Sequence, residues 1–463
     1  MPNPAVFQGP LRRNPANPRY FTDDTGKAIY LTGSHTWAVM QDMWLENGPR
    51  HNTDYTGFLD MLTGNGHNFL RFWQWMQTRR AAWSDIPTIF DPQPFARTGN
   101  GTARDGLPKF DLAVWNDAYF DRLCDRVDRA AERGIYVSIM LFEGWAIKWA
   151  SPQNDPWPFH PMHPENNVNG ITDDPVVENG RAWDFYSMNC PQLRHWQERY
   201  VRKTVETLND RDNVLFEVCN EVPHRREAMD WSEHIVRVIR DCEASLPKRH
   251  PVGITAEGGD HNNEELFATN ADWISPSNGR LFEYRYHPPA ADGSKVVLND
   301  TDHLWGHGAE IDWIWKSFTR GMNVLFMDPW EPIPNDMPGW VKNGASLNTR
   351  HYHLWDAVRR NLGYARQYAD RMDLNRCLPH NGLCTSTYCL ADPGTEYLFF
   401  LPSGGSQGID LWDAPGNFVG EWRNILTGEV FPVDGLTGGR RHVIGAPFSG
   451  SAALYLKRRN TDD

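Results

Sequence analysis

Val218-Cys219-Asn220-Glu221-Val222 closes the apolar run Val214-Leu215-Phe216. An apolar strand that stops at Asn-Glu puts a carboxyl group at a strand tip, the edge where parallel-barrel proteins keep their chemistry. A second acidic cluster, Asp300-Thr301-Asp302-His303, comes after the run Val296-Val297-Leu298. Two strands of one sheet that both end in carboxylates make a barrel the first architecture to test.

Working outward, runs of strand character recur with helical spacing between them, the pattern of repeated βα units. The expected strands are Ala28 to Gly33, Asn68 to Trp73, Ile135 to Phe142, Val214 to Cys219, Val252 to Ala256, Ala271 to Ser275, Lys295 to Leu298 and Asn323 to Met327. Helical spacing is plain over Asn116 to Arg133, where Gly134 supplies a C-terminal stop, and over Leu193 to Leu208 and Trp231 to Ser245. Eight strands alternating with helices predict an α/β fold, a (β/α)8 TIM barrel. Loops Trp83 to Phe110 and Ser151 to Ser187 are long, as cleft-shaping segments are.

After Asp373 the helical spacing disappears. Short alternating runs separated by Gly and Pro take over: Glu396 to Leu401, Gln407 to Trp412, Phe418 to Asn424, Val430 to Val433, Arg441 to Ile444 and Ala452 to Leu456. They predict a small antiparallel β-sandwich. The expected division is a barrel over residues 1–375, opened by an N-terminal β-hairpin, and a sandwich over 376–463. A structural role is expected for the sandwich, with Trp412 and Trp422 in its core.

The predicted strand tips share a chemical style. They read Ser34-His35-Thr36-Trp37, Arg71-Phe72-Trp73, Glu143-Gly144-Trp145, Asn220-Glu221, Glu257-Gly258-Gly259-Asp260, Asp300-Thr301-Asp302-His303 and Asp328-Pro329-Trp330. Polar groups and tryptophan at seven successive tips describe a polar cleft with aromatic walls. The chain carries 21 Trp among 463 residues, and indoles that are awkward to bury completely suit the walls of such a groove.

The formal net charge of -13 argues against a basic nucleic-acid surface. No apolar stretch approaches the roughly 20 residues that span a bilayer. The polar, Pro-rich opening lacks the apolar segment of a secretion signal, so the expectation is a cytoplasmic protein, or a secreted or periplasmic one whose signal has been removed. Seven cysteines show no metal-ligand spacing, and no cofactor is expected. A disulfide among Cys377, Cys384 and Cys389 is compatible with their clustering.

The run Val214 to Glu221 resembles strand four of the cellulase and mannanase clan of glycoside hydrolases (clan A) on (β/α)8 barrels. That resemblance implies that Glu221 is the acid/base and that Asn220 contacts the sugar hydroxyl beside the cleaved bond. It also implies that Arg71 stands next to the nucleophile. A narrower likeness covers almost the whole chain. Asn17-Pro18-Arg19-Tyr20-Phe21-Thr22-Asp23 and Leu31-Thr32-Gly33-Ser34-His35-Thr36-Trp37 resemble the opening of the apiosidase-like group. The tail, from Tyr397-Leu398-Phe399-Phe400-Leu401-Pro402 through Trp422 to Leu454-Tyr455-Leu456, resembles the β-domain of collagen-binding type that accompanies those barrels. The chain departs from the clan at strand seven, where the nucleophile is Glu and the candidates here are Asp302 and Asp300.

The activity these readings imply is hydrolysis of an O-glycosidic bond in a plant or microbial oligo- or polysaccharide. Paired carboxyl groups are the equipment for it, ~5–5.5 Å apart for retention and roughly 6.5–9.5 Å for inversion. Retention is expected, with Glu221 as acid/base and Asp302, or else Asp300, as nucleophile. The candidate substrate-binding residues are Arg71, Asn220, His35, Trp37, Trp73, Glu143, Trp145, Tyr286, His287, His303, Asp328 and Trp330, with Glu257 a further strand-tip carboxylate. Two alternatives stay open. One is a metal-dependent barrel hydrolase using His35, Glu221, Asp300, Asp302, His303 and His307, although the His-x-His pair usual on strand one of such enzymes is absent. The other is a carbohydrate-binding barrel without catalysis.

Overall fold

The computed structural model describes residues 7–50, 52–82, 84–148, 154–177, 180–259, 261, 263–328, 330 and 355–459. Trp83, Asp260, Pro329 and the opening of the predicted Ser151–Ser187 loop lie outside them.

Eight parallel strands form one sheet: β1 (Thr32–His35), β2 (Phe69–Phe72), β3 (Tyr136–Glu143), β4 (Val214–Asn220), β5 (Val252–Thr255), β6 (Trp273–Ser275), β7 (Val296–Asp300) and β8 (Asn323–Met327). They neighbour one another in chain order, and β8 returns to pair in parallel with β1. The remaining seam, β1 against β2, is closed by Asn68. Its backbone N–H donates to the Thr32 carbonyl at 3.0 Å, and its side-chain oxygen accepts from the Thr32 N–H at 3.0 Å. Gly33 is required there, since a Cβ would stand 1.9 Å from the Phe69 carbonyl oxygen.

A helix comes after each strand among the described residues: α1 (Tyr55–Gly64), α2 (Asp117–Ala131), α3 (Pro191–Leu208), α4 (Arg226–Glu243), α5 (Glu264–Ala268), α6 (Glu283–Tyr286), α7 (Ile311–Thr319) and α8 (Asp356–Arg371). The chain is therefore a (β/α)8 barrel, as its periodicity predicts. In α2 the buried set Tyr119, Phe120, Leu123, Val127 and Ala130 recurs every three or four residues and faces the sheet. Gly134 then takes φ 69°, the left-handed stop expected of it. The span from Trp83 to Phe110 corrects the loop expectation. Ser84–Asp91 pairs with Asp42–Leu45 and Arg79–Ala81, and Phe95–Thr102 pairs with Pro108–Trp115 in a hairpin. A short antiparallel pair, Arg12–Arg13 with Phe21–Thr22, precedes the barrel.

Beyond α8 the chain builds β9 (Leu378–Pro379), β10 (Cys389–Asp392), β11 (Glu396–Leu401), β12 (Ser406–Leu411), β13 (Asn417–Asn424), β14 (Val430–Thr437), β15 (Arg440–Gly445) and β16 (Ala452–Arg458). Six of these form an antiparallel sheet in the order β9-β10-β11-β16-β13-β14, and β12 pairs with β15. Alternation along β11 divides two cores. Tyr397, Phe399 and Leu401 join Ile409, Leu411, Trp422 and Leu454 between the two sheets, while Leu398 and Phe400 face the barrel. Phe400 stacks on Trp315 of α7 at 6.3 Å, and Tyr455 of β16 meets Tyr368 of α8 at 5.7 Å. The Tyr368 hydroxyl donates to Glu421 at 2.9 Å across the same junction. Trp422 is core, as expected, but Trp412 is 64% exposed, because it sits on the turn after β12, beyond the last inward position, Leu411. All seven cysteines are free thiols. Among the described residues no helix is long and apolar enough to cross a membrane.

Candidate active site

The C-terminal ends of β1, β2, β4 and β7 converge on one guanidinium. Arg71 points into the barrel from β2 and is almost completely buried. Its Nε and one terminal nitrogen clamp Glu217 of β4 at 2.8 and 2.6 Å, and that nitrogen also donates to the Asn220 side-chain oxygen. The other terminal nitrogen donates to Asp302 at 2.8 Å and to Asp300 at 3.2 Å. A buried charge needs partners of this kind, and their sum holds the guanidinium protonated, well above its ordinary value, against the burial that opposes it.

Asp300 ends β7 with no exposed surface. One carboxyl oxygen accepts from His35 Nε2 at 2.9 Å and from the backbone N–H of Asp302 at 3.0 Å; the other faces Arg71. His35 receives the Trp73 indole N–H on Nδ1 at 2.7 Å, so its proton is on Nε2 and points at Asp300. Burial alone would raise the Asp300 carboxyl, but His35 and Arg71 overcome it and hold the group well below its usual range.

Asp302 lies two residues on, in the 3-10 turn Thr301–His303 that Asp300 caps. Burial raises its carboxyl well above the ordinary value; Arg71 opposes this, while the like charges of Glu221 and Asp300 add to it. His303 donates or accepts at both ring nitrogens, 2.8 Å from Ser275 Oγ and 3.3 Å from the Asn220 oxygen. Burial holds it neutral, with its pKa down at about 3.

Glu221 comes directly after β4 in the left-handed region, φ 44°, a conformation that costs a non-glycine residue energy and clusters at functional sites. Its backbone N–H donates to Thr255 Oγ1 at 3.2 Å. One carboxyl oxygen accepts the Trp145 indole N–H at 2.8 Å and lies 3.2 Å from Lys148 Nζ, which also pairs with Glu257 at 2.6 Å. Gly144 lets the β3 tip pass beneath, since a Cβ there would meet the Glu221 carbonyl oxygen at 2.3 Å. Glu143, beside Asn220 in the register of β3 and β4, accepts from its amide at 2.9 Å. Burial pushes the Glu143 carboxyl up to about 8.

Glu221 and Asp302 line the same pocket, a cavity of about 190 Å³ walled by Trp37, Trp73, Trp75 and Trp145 with Gly306 and Met327. They keep 7% and 9% of their surface exposed, where Asp300 keeps none. The structure thus gathers Glu221, Asp302, Trp37, Trp73 and Trp145 at the pocket, with Asp300, Arg71, Asn220, His35, Glu143 and His303 in the layer behind.

Other candidates stand elsewhere. Tyr286 is exposed at the end of α6, and His287 lies 3.2 Å from the Tyr388 hydroxyl near the sandwich. Asp328 is buried against Arg359 at 2.8 and 2.5 Å. Trp330 packs on Phe58 with Arg359 over its ring. Sequence reasoning passes over Glu217, Lys148, Trp75 and Met327. Glu217 carries a signal, a charge inside an otherwise apolar strand; Lys148 has none beyond standing three residues after Trp145.

Among the described residues no three His, Cys, Asp or Glu groups are arranged to hold a metal ion. The carboxylates of Glu217, Asp300 and Asp302 pair instead with the Arg71 guanidinium.

A family model described as "Domain of unknown function (DUF6298)" matches residues 75–258. No curated protein matches the chain. Solved structures share its fold. One described as "Glycoside hydrolase" superposes with a TM-score of 0.62 at 11% identity, covering 98% of both chains. A glycoside hydrolase family 5 structure from Bacteroides vulgatus ATCC 8482 gives 0.62 at 13% identity, covering 98% of this chain and 94% of that one. The barrel and the appended sheets together are thus an arrangement found in glycoside hydrolases.

Proposed function

We propose that this chain is a glycoside hydrolase that cleaves an O-glycosidic bond with retention, using Glu221 as acid/base and Asp302 as nucleophile. The observation that carries the reading is the pairing of these two carboxyl groups, alone among the described acidic residues, on one tryptophan-walled pocket at the barrel's C-terminal mouth. The fold shared with glycoside hydrolases supports it. Asp300 is the poorer nucleophile because His35, Arg71 and the Asp302 amide already occupy its oxygens. It positions Asp302 instead.

The reaction needs one proton on the pair. Two acidic groups facing one small cavity do not both ionise readily. When Glu221 carries the proton, one of the two like charges that raise Asp302 is gone, and Arg71 favours its carboxylate. Glu221 then gives its proton to the leaving oxygen as Asp302 bonds to the anomeric carbon and the glycosidic C–O bond breaks. In the second step Glu221 takes a proton from water, whose oxygen displaces Asp302 and restores both groups. Trp145 and Lys148 fix the Glu221 carboxyl in aim.

The test is a panel of 4-nitrophenyl glycosides, apiosides included because of the apiosidase-like opening. Wild type is run beside Glu221→Gln and Asp302→Asn. Nitrophenol release by wild type, with kcat lowered at least about a hundredfold in both variants, is expected. Full activity in Glu221→Gln would contradict the proposal.

A further inference from the structure

At the far end of the barrel from Glu221, a cavity of about 350 Å³ opens between the Arg12–Arg13 strand and the turn from α4 to β5. We propose that it binds a small organic anion, a phosphate or carboxylate group on a body the size of a monosaccharide. The proposal is independent of the glycosidase reading.

The cavity is placed by chain order. Pro251 and Asp272, which line it, directly precede β5 and β6, whereas Glu221 and Asp302 come after β4 and β7. Its volume lies in the range of small-molecule pockets and equals about twelve water molecules at roughly 30 Å³ each.

Five cationic side chains line it, Arg12, Arg13, Arg240, Lys248 and Arg249, against the two carboxyls of Asp24 and Asp272. The excess is local, since the whole chain carries a net charge of -13. Three of the cations are answered by the protein. Arg12 pairs with Asp24, Arg240 with Asp272, and Lys248 with Asp212 at 2.8 Å. Arg13 and Arg249 differ. The Arg13 guanidinium donates to the Gly293 carbonyl, and among the described residues neither it nor Arg249 meets a carboxylate. The internal residues outside the described set all fall between a strand and the helix after it, and residues 1–6 hold no acidic side chain. This cavity lies where helices return to strands. Lys295, close to Arg13, reports the same field: burial first, and Arg13 next, lower it from its ordinary value.

A planar guanidinium takes a phosphate or carboxylate through two parallel N–H donors, and two such groups face one cavity here. Pro10, Pro247 and Pro251 stand in the wall. Their fixed φ angles leave little to be ordered when a ligand enters. With Leu11 they offer the uncharged body of the ligand an apolar surface.

Isothermal titration calorimetry tests this with glucose 6-phosphate, glucuronate, inorganic phosphate and glucose as probes. The proteins are wild type, Arg13→Gln, Arg249→Gln and the double variant. One of the two sugar anions is expected to bind at least about tenfold tighter than glucose, and the double variant to lose at least about tenfold of that affinity, as loss of charge-assisted hydrogen bonds implies. Raising the salt to about 0.15 M should weaken binding. Which of glucose 6-phosphate and glucuronate binds tells phosphate from carboxylate. Arg249 is exposed, so Arg249→Gln alone decides the matter if the double variant does not fold, with at least about a threefold loss expected. Glucose binding as well as either sugar anion, no binding of either anion at about 10 mM, or unchanged affinity in the variants overturns the proposal. Inorganic phosphate binding as tightly as glucose 6-phosphate overturns the monosaccharide-sized body.

Discussion

Replacing Arg71 with Met removes the one guanidinium that Glu217, Asp300 and Asp302 share. Four N–H contacts to carboxylates are lost, at 2.8, 2.6, 3.2 and 2.8 Å. Taking away one partner of a buried ion pair costs about 3–5 kcal/mol. Three carboxyls do not triple this, because buried anions without a cation take up protons rather than stay ionised. At roughly 2 cal/mol/K of unfolding entropy per residue, a chain of 463 residues that melts as one unit loses about 4 °C in Tm for ~4 kcal/mol. The pH dependence changes sign with the substitution. In the wild type Asp300 is held below its unfolded value of about 3.9, so its contribution is present above that pH and lost as pH falls through the folded value. Without Arg71 the Asp300 carboxyl rises above its unfolded value, and Asp302, raised already, rises further. Such groups stabilise at low pH and lose the contribution as pH climbs through the raised value. The stability gap between wild type and Arg71→Met should therefore be wider at pH 8 than at pH 5. Urea denaturation at both values measures it. A gap that is equal at the two pH values, or below about 1 kcal/mol at pH 8, would refute the picture of Arg71 as the shared counter-charge.

Three more expectations are independent of that one. Gly144→Ala drives a methyl into the Glu221 carbonyl oxygen; kcat should fall at least about tenfold, since small misplacements of a reacting group are costly, while circular dichroism shows an intact fold. Glu143→Gln should gain stability on the wild type between pH 5 and pH 8. Folded Glu143, raised to about 8, keeps a proton there that the unfolded chain has lost, so wild-type stability declines across that window; a urea-midpoint difference that does not move with pH contradicts this. Ending the chain after residue 380 uncovers Trp315 and Tyr368, aromatic side chains that bury about 150–250 Å² each at roughly 25 cal/mol/Å². The truncated barrel should be insoluble, and a soluble, cooperatively melting product would show the sandwich to be dispensable.

The barrel is legible in the sequence because its strands are buried on both faces and so read as unbroken apolar runs between helical repeats. Val214 to Cys219 and Asn323 to Met327 agree within a residue with the observed strands. The first strand reads early, from Ala28, because Ala28 to Leu31 is more apolar than Thr32 to His35; the ladder to β8 begins only at Thr32. The hairpins between Trp83 and Phe110 are hidden because Pro, Gly and Asp interrupt any alternation there. At the site, strand-tip chemistry points to Glu221, Asp300 and Asp302. It does not separate the two aspartates, because alternation aims both inward. The turn Thr301–His303 separates them, lifting Asp302 to the pocket while Asp300 stays beneath with His35. Tyr286 and His287 share the composition of a strand tip without its position, while Asp328 directly follows β8 but gives both carboxyl oxygens to Arg359, and Trp330 packs on Phe58. Which tip residues reach the axis depends on the short turns after each strand, and composition carries little of that. Lys148 is invisible for the same reason, since its pairing with Glu221 and Glu257 brings together the ends of three strands.

The most direct test is to trap the intermediate. The protein is incubated with 2-deoxy-2-fluoro glycosyl donors of the cleaved series, digested, and mapped by mass spectrometry. The account predicts one added glycosyl group on Asp302, formed by wild type and absent from Asp302→Asn. A label on Asp300 or on Glu221, or rapid turnover to a product of inverted configuration with no label, would contradict it.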